Sequence, residues 1–205
     1  MPEKANDKQA PKELKVTDKR IFTADGDIRE VLHTMIYSSE FWSKDVYHAK
    51  IKTPFEFVAS ATRAVGADVD VPLMLVQWTN RIGQPLYQCE PPTGYSDKGD
   101  AWVNTGALLN RMNFSLALTS NRLRGAQVDM DALLNSQGAT DPYAMLDRSI
   151  HLFLSGQASA ETRDTLEKQL NDPQILQATL GDPVKQVNAA MIAGLVLGSP
   201  EFQRR

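Results

Sequence analysis

The side chains of this chain that could do chemistry are few and scattered. His33, His48 and His151 share no metal-ligand spacing: His33 adjoins Leu32 in an amphipathic stretch, His48 sits among polar residues, and His151 falls inside an apolar run. Each reads as a packed or solvent-facing imidazole, and neither a metal nor a cofactor is expected. Cys89 is the single cysteine, so an internal disulfide and a cysteine-rich zinc site are both excluded. Its neighbour Glu90 would raise a thiol's pKa, which predicts an unreactive residue. Glu40 with Glu201, and Asp97 with Asp100, could be drawn as acid and base pairs, but carboxylates at helix starts cap or are solvated. No Gly-x-Ser-x-Gly, glycine-rich phosphate loop or His-Glu-x-x-His occurs, so the usual hydrolase and nucleotide signals are missing.

What stands out is a loop. Residues 84–101 carry three prolines and two glycines with no hydrophobic period, and a long irregular segment inside a compact domain is often functional. Tyr87, Tyr95 and Trp102 are spread along and just beyond it, with Asp97, Asn104 and, one helical stretch on, Arg111. Aromatic faces beside carboxylate and amide groups suit a sugar or a peptide, the faces stacking while the polar groups orient. The same residues could instead anchor a packed Ω-loop, with Arg111 bonding loop carbonyls under either reading.

Helices must position these groups. Ile28, Val31, Leu32, Met35 and Ile36 form one stripe behind Asp27, and Thr53-Pro54-Phe55-Glu56 combines a cap, a first-turn proline and a capping-box glutamate, opening a helix to about residue 65. Val71 to Ile82 repeats the stripe and closes at Gly83. From Asn104, a helix apolar nearly all round belongs in the middle of a bundle. Further starts fall at Asp129 or Asp131, Asp141-Pro142, Ser159 and Asp182-Pro183, with Gly156 and Gly198 as stops and a short helix over 173–180. Sustained alternation of β-branched residues is absent, so the expected fold is all-α, about eight helices with one long Pro/Gly-rich loop at 84–104. Residues 1–24 read as a polar tail or linker and 25–205 as a single domain. Ser38-Ser39-Glu40-Phe41 echoes Ser199-Pro200-Glu201-Phe202, which predicts a shared device: serine caps a turn and phenylalanine folds back.

Lys and Arg number 22 against 25 Asp and Glu, a net charge of −3 that disfavours a nucleic-acid partner. No run of residues approaches a membrane span, and residues 1–20 hold no apolar stretch for a signal peptide.

Several strings together resemble a known family. They are Gly83-Gln84-Pro85-Leu86-Tyr87, Pro91-Pro92-Thr93-Gly94-Tyr95, Trp102-Val103-Asn104-Thr105 and Leu109-Asn110-Arg111-Met112-Asn113-Phe114. Ser39-Glu40-Phe41-Trp42, Lys52-Thr53-Pro54-Phe55-Glu56, Arg63-Ala64-Val65-Gly66 and the terminal Leu197 to Arg205 support them. In order and spacing they resemble the C-terminal part of the bacterial domain of unknown function 1800 family, from about residue 27 to 205. The family pattern has Trp where Tyr95 stands. Its members look much longer, so the resemblance implies a C-terminal fragment of a larger protein. It also implies an exported, extracytoplasmic setting and a partner resembling alkaline phosphatases and sulfatases, with a glycan as the other partner the loop suits. No catalytic residue follows from it. The expectation is a structural or binding module with the aromatic loop as contact surface; the alternative is one wall of an enzyme cleft whose catalytic groups lie elsewhere.

Overall fold

Local chemistry at the helix starts is the first thing the computed structural model displays. Asp27, Thr53, Asn104, Asp129, Asp141, Ser159 and Asn188 each accept a backbone N–H of the first turn on their side chain. Thr53 and Glu56 complete a reciprocal capping box behind Pro54. The structure describes residues 27–134, 141–171 and 188–205. The expected start at Asp182-Pro183 and the short helix over 173–180 lie outside them.

Within the described residues the fold is all-α. Eight α-helices run in order: α1 (Ile28–Ile36), α2 (Pro54–Ala64), α3 (Leu73–Ile82), α4 (Thr105–Thr119), α5 (Met130–Leu133), α6 (Pro142–Leu154), α7 (Ala160–Leu170) and α8 (Ala189–Leu197). A 3-10 turn, Gly99–Trp102, precedes α4. The exception is a pair of two-residue strands, β1 (Asp68–Val69) and β2 (Ala126–Gln127), antiparallel with Asp68 opposite Gln127. Two residues are too few to show an alternation in the sequence. None of these helices is long and apolar enough to cross a membrane.

The chain divides into two compact units, Met1–Tyr47 and His48–Arg205. In the first, Trp42 donates from Nε1 to the Ile36 carbonyl at 2.5 Å. Thr34 is buried there, whereas Ile28, Leu32, Met35 and Ile36 of the apolar stripe are exposed.

The second unit is built around α4. Helix α8 packs along it and against α6, and α2, α3 and α4 all pack on one another. Two glycines of α8 and its cap allow that approach. A Cβ on Gly194 would sit 2.8 Å from Leu116 Cδ2 and 3.0 Å from Leu116 Cα, and one on Gly198 would meet Met112 Sδ at 2.5 Å. Gly198 has an ordinary helical φ of −79°, so its value lies in close packing and not in a left-handed stop. At the centre, Phe57 stands edge-on to both Phe114 and Phe202, each ring centroid 6.1 Å away.

The repeated Ser-x-Glu-Phe string behaves alike only locally. Ser38 Oγ accepts the Phe41 N–H at 3.3 Å, as Ser199 Oγ accepts that of Phe202 at 3.5 Å. Phe202 then enters the core at 6 % exposure, whereas Phe41 stays 47 % exposed.

Candidate functional site

The 84–104 loop is pinned by its own aromatics. Its base is set where Gln84 N–H donates to the Thr79 carbonyl at the end of α3 and Gln84 Oε1 accepts the Phe55 N–H at 2.9 Å. The Tyr95 hydroxyl donates across the loop to the Pro85 carbonyl. Desolvation, with a contribution from Cys89, pushes that phenol above its usual pKa, which suits a neutral donor. Trp102 is 6 % exposed, donates from Nε1 to the Ser96 carbonyl at 2.9 Å and lies 5.7 Å from the Tyr95 ring. Ser96 Oγ accepts from Lys98 N–H, and Asp100 accepts the N–H of Ala101. Asn104 caps α4 through Ala107 N–H at 2.8 Å. Cys89 Sγ lies 3.8 Å from the Pro91 carbonyl oxygen.

Tyr87 is the contrast. It is wholly exposed and adopts a φ of +61°, a conformation that a bulky side chain rarely takes. Asp97 is also exposed. Of the six residues read as a binding set, Tyr95 and Trp102 are brought together, Asn104 serves the helix start, and Tyr87 and Asp97 face solvent.

Arg111 goes elsewhere. It lies on the side of α4 turned toward α2 and the C-terminal turn. There, at 0 % exposure, Nη2 donates to the Lys52 carbonyl at 2.8 Å instead of to a loop carbonyl. Its guanidinium carbon is 5.1 Å from the Phe57 ring centroid, and Nε and Nη1 are buried without a hydrogen-bond partner among the described residues. Burial lowers its pKa to about 10.

Around it is a cluster that no local spacing announces. Lys52 Nζ donates to the Phe202 carbonyl at 2.6 Å and sits 3.9 Å from the centre of that ring. Lys52 N–H donates to the Gln203 carbonyl at 2.8 Å, Lys50 and Arg205 exchange both backbone bonds, and Arg205 Nη2 pairs with Glu56 Oε1 at 2.7 Å. Burial, with repulsion from Arg111 and Arg205, outweighs the attraction of Glu56 and lowers the Lys52 pKa to about 8. The contact from Lys52 to Phe202 spans 150 residues of sequence. The only signal for it was that both ends belong to strings that together resemble one family.

Residues 5–204 match a family described as a protein of unknown function, DUF1800. The chain is a DUF1800 protein. No curated protein and no solved structure matches it. The DUF1800 strings acquire a spatial meaning here: Lys52-Thr53-Pro54-Phe55-Glu56, Arg111 of the Asn110–Phe114 string and Phe202 to Arg205 converge on one cluster.

The other candidates are locally engaged. Glu201 accepts from Ser159 N–H and the Thr162 hydroxyl, each at 3.1 Å. Burial pushes its carboxyl up, but those hydrogen bonds win and hold it below the usual range. Glu40 accepts from the Ser39 hydroxyl, and His33 stacks on Tyr37. His151 is exposed on α6. Among the described residues no three His, Cys, Asp or Glu side chains are placed to hold a metal ion.

Proposed function

We propose that this DUF1800 chain is a C-terminal structural and binding module of a larger exported bacterial protein, working outside the cytoplasm, with the 84–104 loop as its contact surface. The observation that carries the reading is Tyr87: a wholly exposed aromatic at positive φ on a loop fixed by the Tyr95 and Trp102 hydrogen bonds. A pinned loop loses little conformational freedom on binding, and an exposed tyrosine offers a rigid apolar face with a polar tip. Phe55 and Leu109, both exposed, lie beside the loop: the Phe55 N–H bonds Gln84 at the loop base, and Asn110, next to Leu109, donates to the Arg81 carbonyl in the last turn of α3. The exposed stripe of α1 supports a second role, docking onto further polypeptide. The partner is a protein resembling alkaline phosphatases and sulfatases, or a glycan.

Immobilised wild-type chain, Tyr87→Ala and Trp102→Phe are compared in capture from an extracytoplasmic extract of the native source and on a glycan array. Tyr87→Ala is expected to lose the bound partner at unchanged melting temperature. Equal capture by wild type and Tyr87→Ala would sink the assignment of the loop.

A second reading, one wall of an enzyme cleft, has a single group in its favour. A lysine with a pKa of about 8, as at Lys52, is poised for proton transfer near neutrality. Its Nζ, however, is bonded to the Phe202 carbonyl and lies over that ring, so the contact would have to open before it served a substrate.

A further inference from the structure

Helix α7 is held in its unit differently from its neighbours. Five of its eleven residues are charged, and only Leu166 and Leu170 are buried. Helix α8 buries seven of nine. An element with so little apolar burial opens at a lower free energy than the core it rests on.

The link before α7 has the geometry of a hinge. Ser155 and Gly156, between α6 and α7, take φ of +52° and +77° in succession, and a Cβ on Gly156 would meet nothing within 4 Å. Hinge motion is absorbed by a few such residues at the end of an element. On its other side α7 is not seated flush: an open cleft of about 490 Å³ separates it from the end of α8, with Thr165 and Leu166 of α7, Leu195 and Met112 in its lining.

Glu201 spans that cleft. It accepts the Ser159 N–H and the Thr162 hydroxyl, each at 3.1 Å, which sets a carboxylate at the positive end of α7. Its own turn is anchored, because Phe202 and Gln203 are buried and Gln203 donates to the Gly198 carbonyl while accepting the Lys52 N–H. Glu201 thus belongs to the fixed side, and α7 is the side that can move. Toward α6, the pair of Arg163 with Asp147 at 2.7 Å is about half exposed, and such pairs contribute little.

We propose that α7 is a hinged flap, turning about Ser155–Gly156 and held shut by the Glu201 catch, and that its release uncovers an apolar strip at Met112, Leu166 and Leu195. The open form keeps α2, α3, α4 and α8 folded and is reached far more often than global unfolding.

The test is thiol trapping with iodoacetamide on the full chain in a Cys89→Ser background, each rate scaled to that of the urea-unfolded chain. Leu166→Cys reports the inner face of α7, and Val196→Cys, at a position 0 % exposed on α8 and outside the cleft lining, reports the core. The thiol at 166 is expected to react about tenfold faster than that at 196, or more. Glu201→Gln should speed the 166 reaction about tenfold by weakening the catch, and Thr162→Val, which removes one of its two bonds, should act in the same direction. Ile82→Val, in the core on α3, should speed only the reaction at 196, about threefold, because the open flap leaves α3 in place. Should Leu166→Cys not fold, Leu170→Cys takes its place. The proposal is overturned if the α7 thiol reacts no faster than that at 196, if Ile82→Val speeds both alike, or if Glu201→Gln leaves the α7 rate unchanged.

Discussion

Replacing Arg111 with methionine should leave stability within about 1 kcal/mol of wild type, although the residue is 0 % exposed and a buried residue of that size would ordinarily cost several kcal/mol to change. The reasoning rests on what the guanidinium does. One donor, Nη2, is used on the Lys52 carbonyl at 2.8 Å, while Nε and Nη1 are buried and unpartnered among the described residues. Losing the charge-assisted bond costs about 1.5–3 kcal/mol, and the carbonyl left behind costs about 1–3. Removing two orphaned donors returns about 1–3 kcal/mol each. A flexible side chain of similar length can still fill the space beside Phe57, so no large cavity adds to the sum. Arg111→Ala lacks that filling and should lose about 2–4 kcal/mol more. Urea denaturation of both variants reads the difference. A second readout is the titration of Lys52, whose pKa Arg111 helps to depress and which should therefore rise toward 10.5 in Arg111→Met. A loss above about 3 kcal/mol in Arg111→Met, with Lys52 unmoved, would refute the reasoning.

Two further outcomes follow from the packing. Lys52 has a pKa of about 8 in the fold against an ordinary 10.5, so the unfolded chain binds more protons between those values and stability should climb as pH rises through them. The gain is present above 10.5 and lost as pH falls through about 8. For a partly exposed group it should amount to about 1–2 kcal/mol, and Lys52→Met should flatten the rise in urea midpoint between about pH 7.5 and about pH 10; an unchanged slope would rule the lysine out as its source. Gly194→Ala should destabilise more than Gly198→Ala, by about 1 kcal/mol in thermal or urea unfolding. The first Cβ meets the Leu116 backbone at 3.0 Å, whereas the second crowds the movable end of Met112 and touches backbone, the Gly194 carbonyl oxygen, at an ordinary 3.4 Å, so equal costs would contradict this account of the helix crossing.

The contrast between Asn104 and Arg111 shows how far the sequence carries. Asn104 acts on Ala107, three residues away, and its role as a cap follows from residue type and the apolar run behind it. Arg111 acts on Lys52, 59 residues away, through a face of α4 that the sequence leaves undetermined, because the helix is apolar nearly all round. The same division runs through the loop. Its irregularity was legible from Pro and Gly, and Trp102 and Tyr95 from their type. Which aromatic pins the loop and which faces solvent depends on backbone conformation: Tyr87 takes a φ of +61°, which nothing in Leu86-Tyr87-Gln88 demands. The exposed stripe of α1 is the converse case, for periodicity identifies an apolar face but not what covers it. A chain that spends local signals on most of its helix starts and still directs the one fully buried charge among the described residues to a carbonyl 59 residues away has used Arg111 to fix how α2, α4 and the C-terminal turn meet. That assignment predicts that Arg111→Met, even where stability holds, should loosen the pairing of Lys50 with Arg205, seen as faster amide exchange at Lys50, Lys52 and Arg205. Unchanged exchange at those amides would return the junction to Phe57 and Phe202 alone.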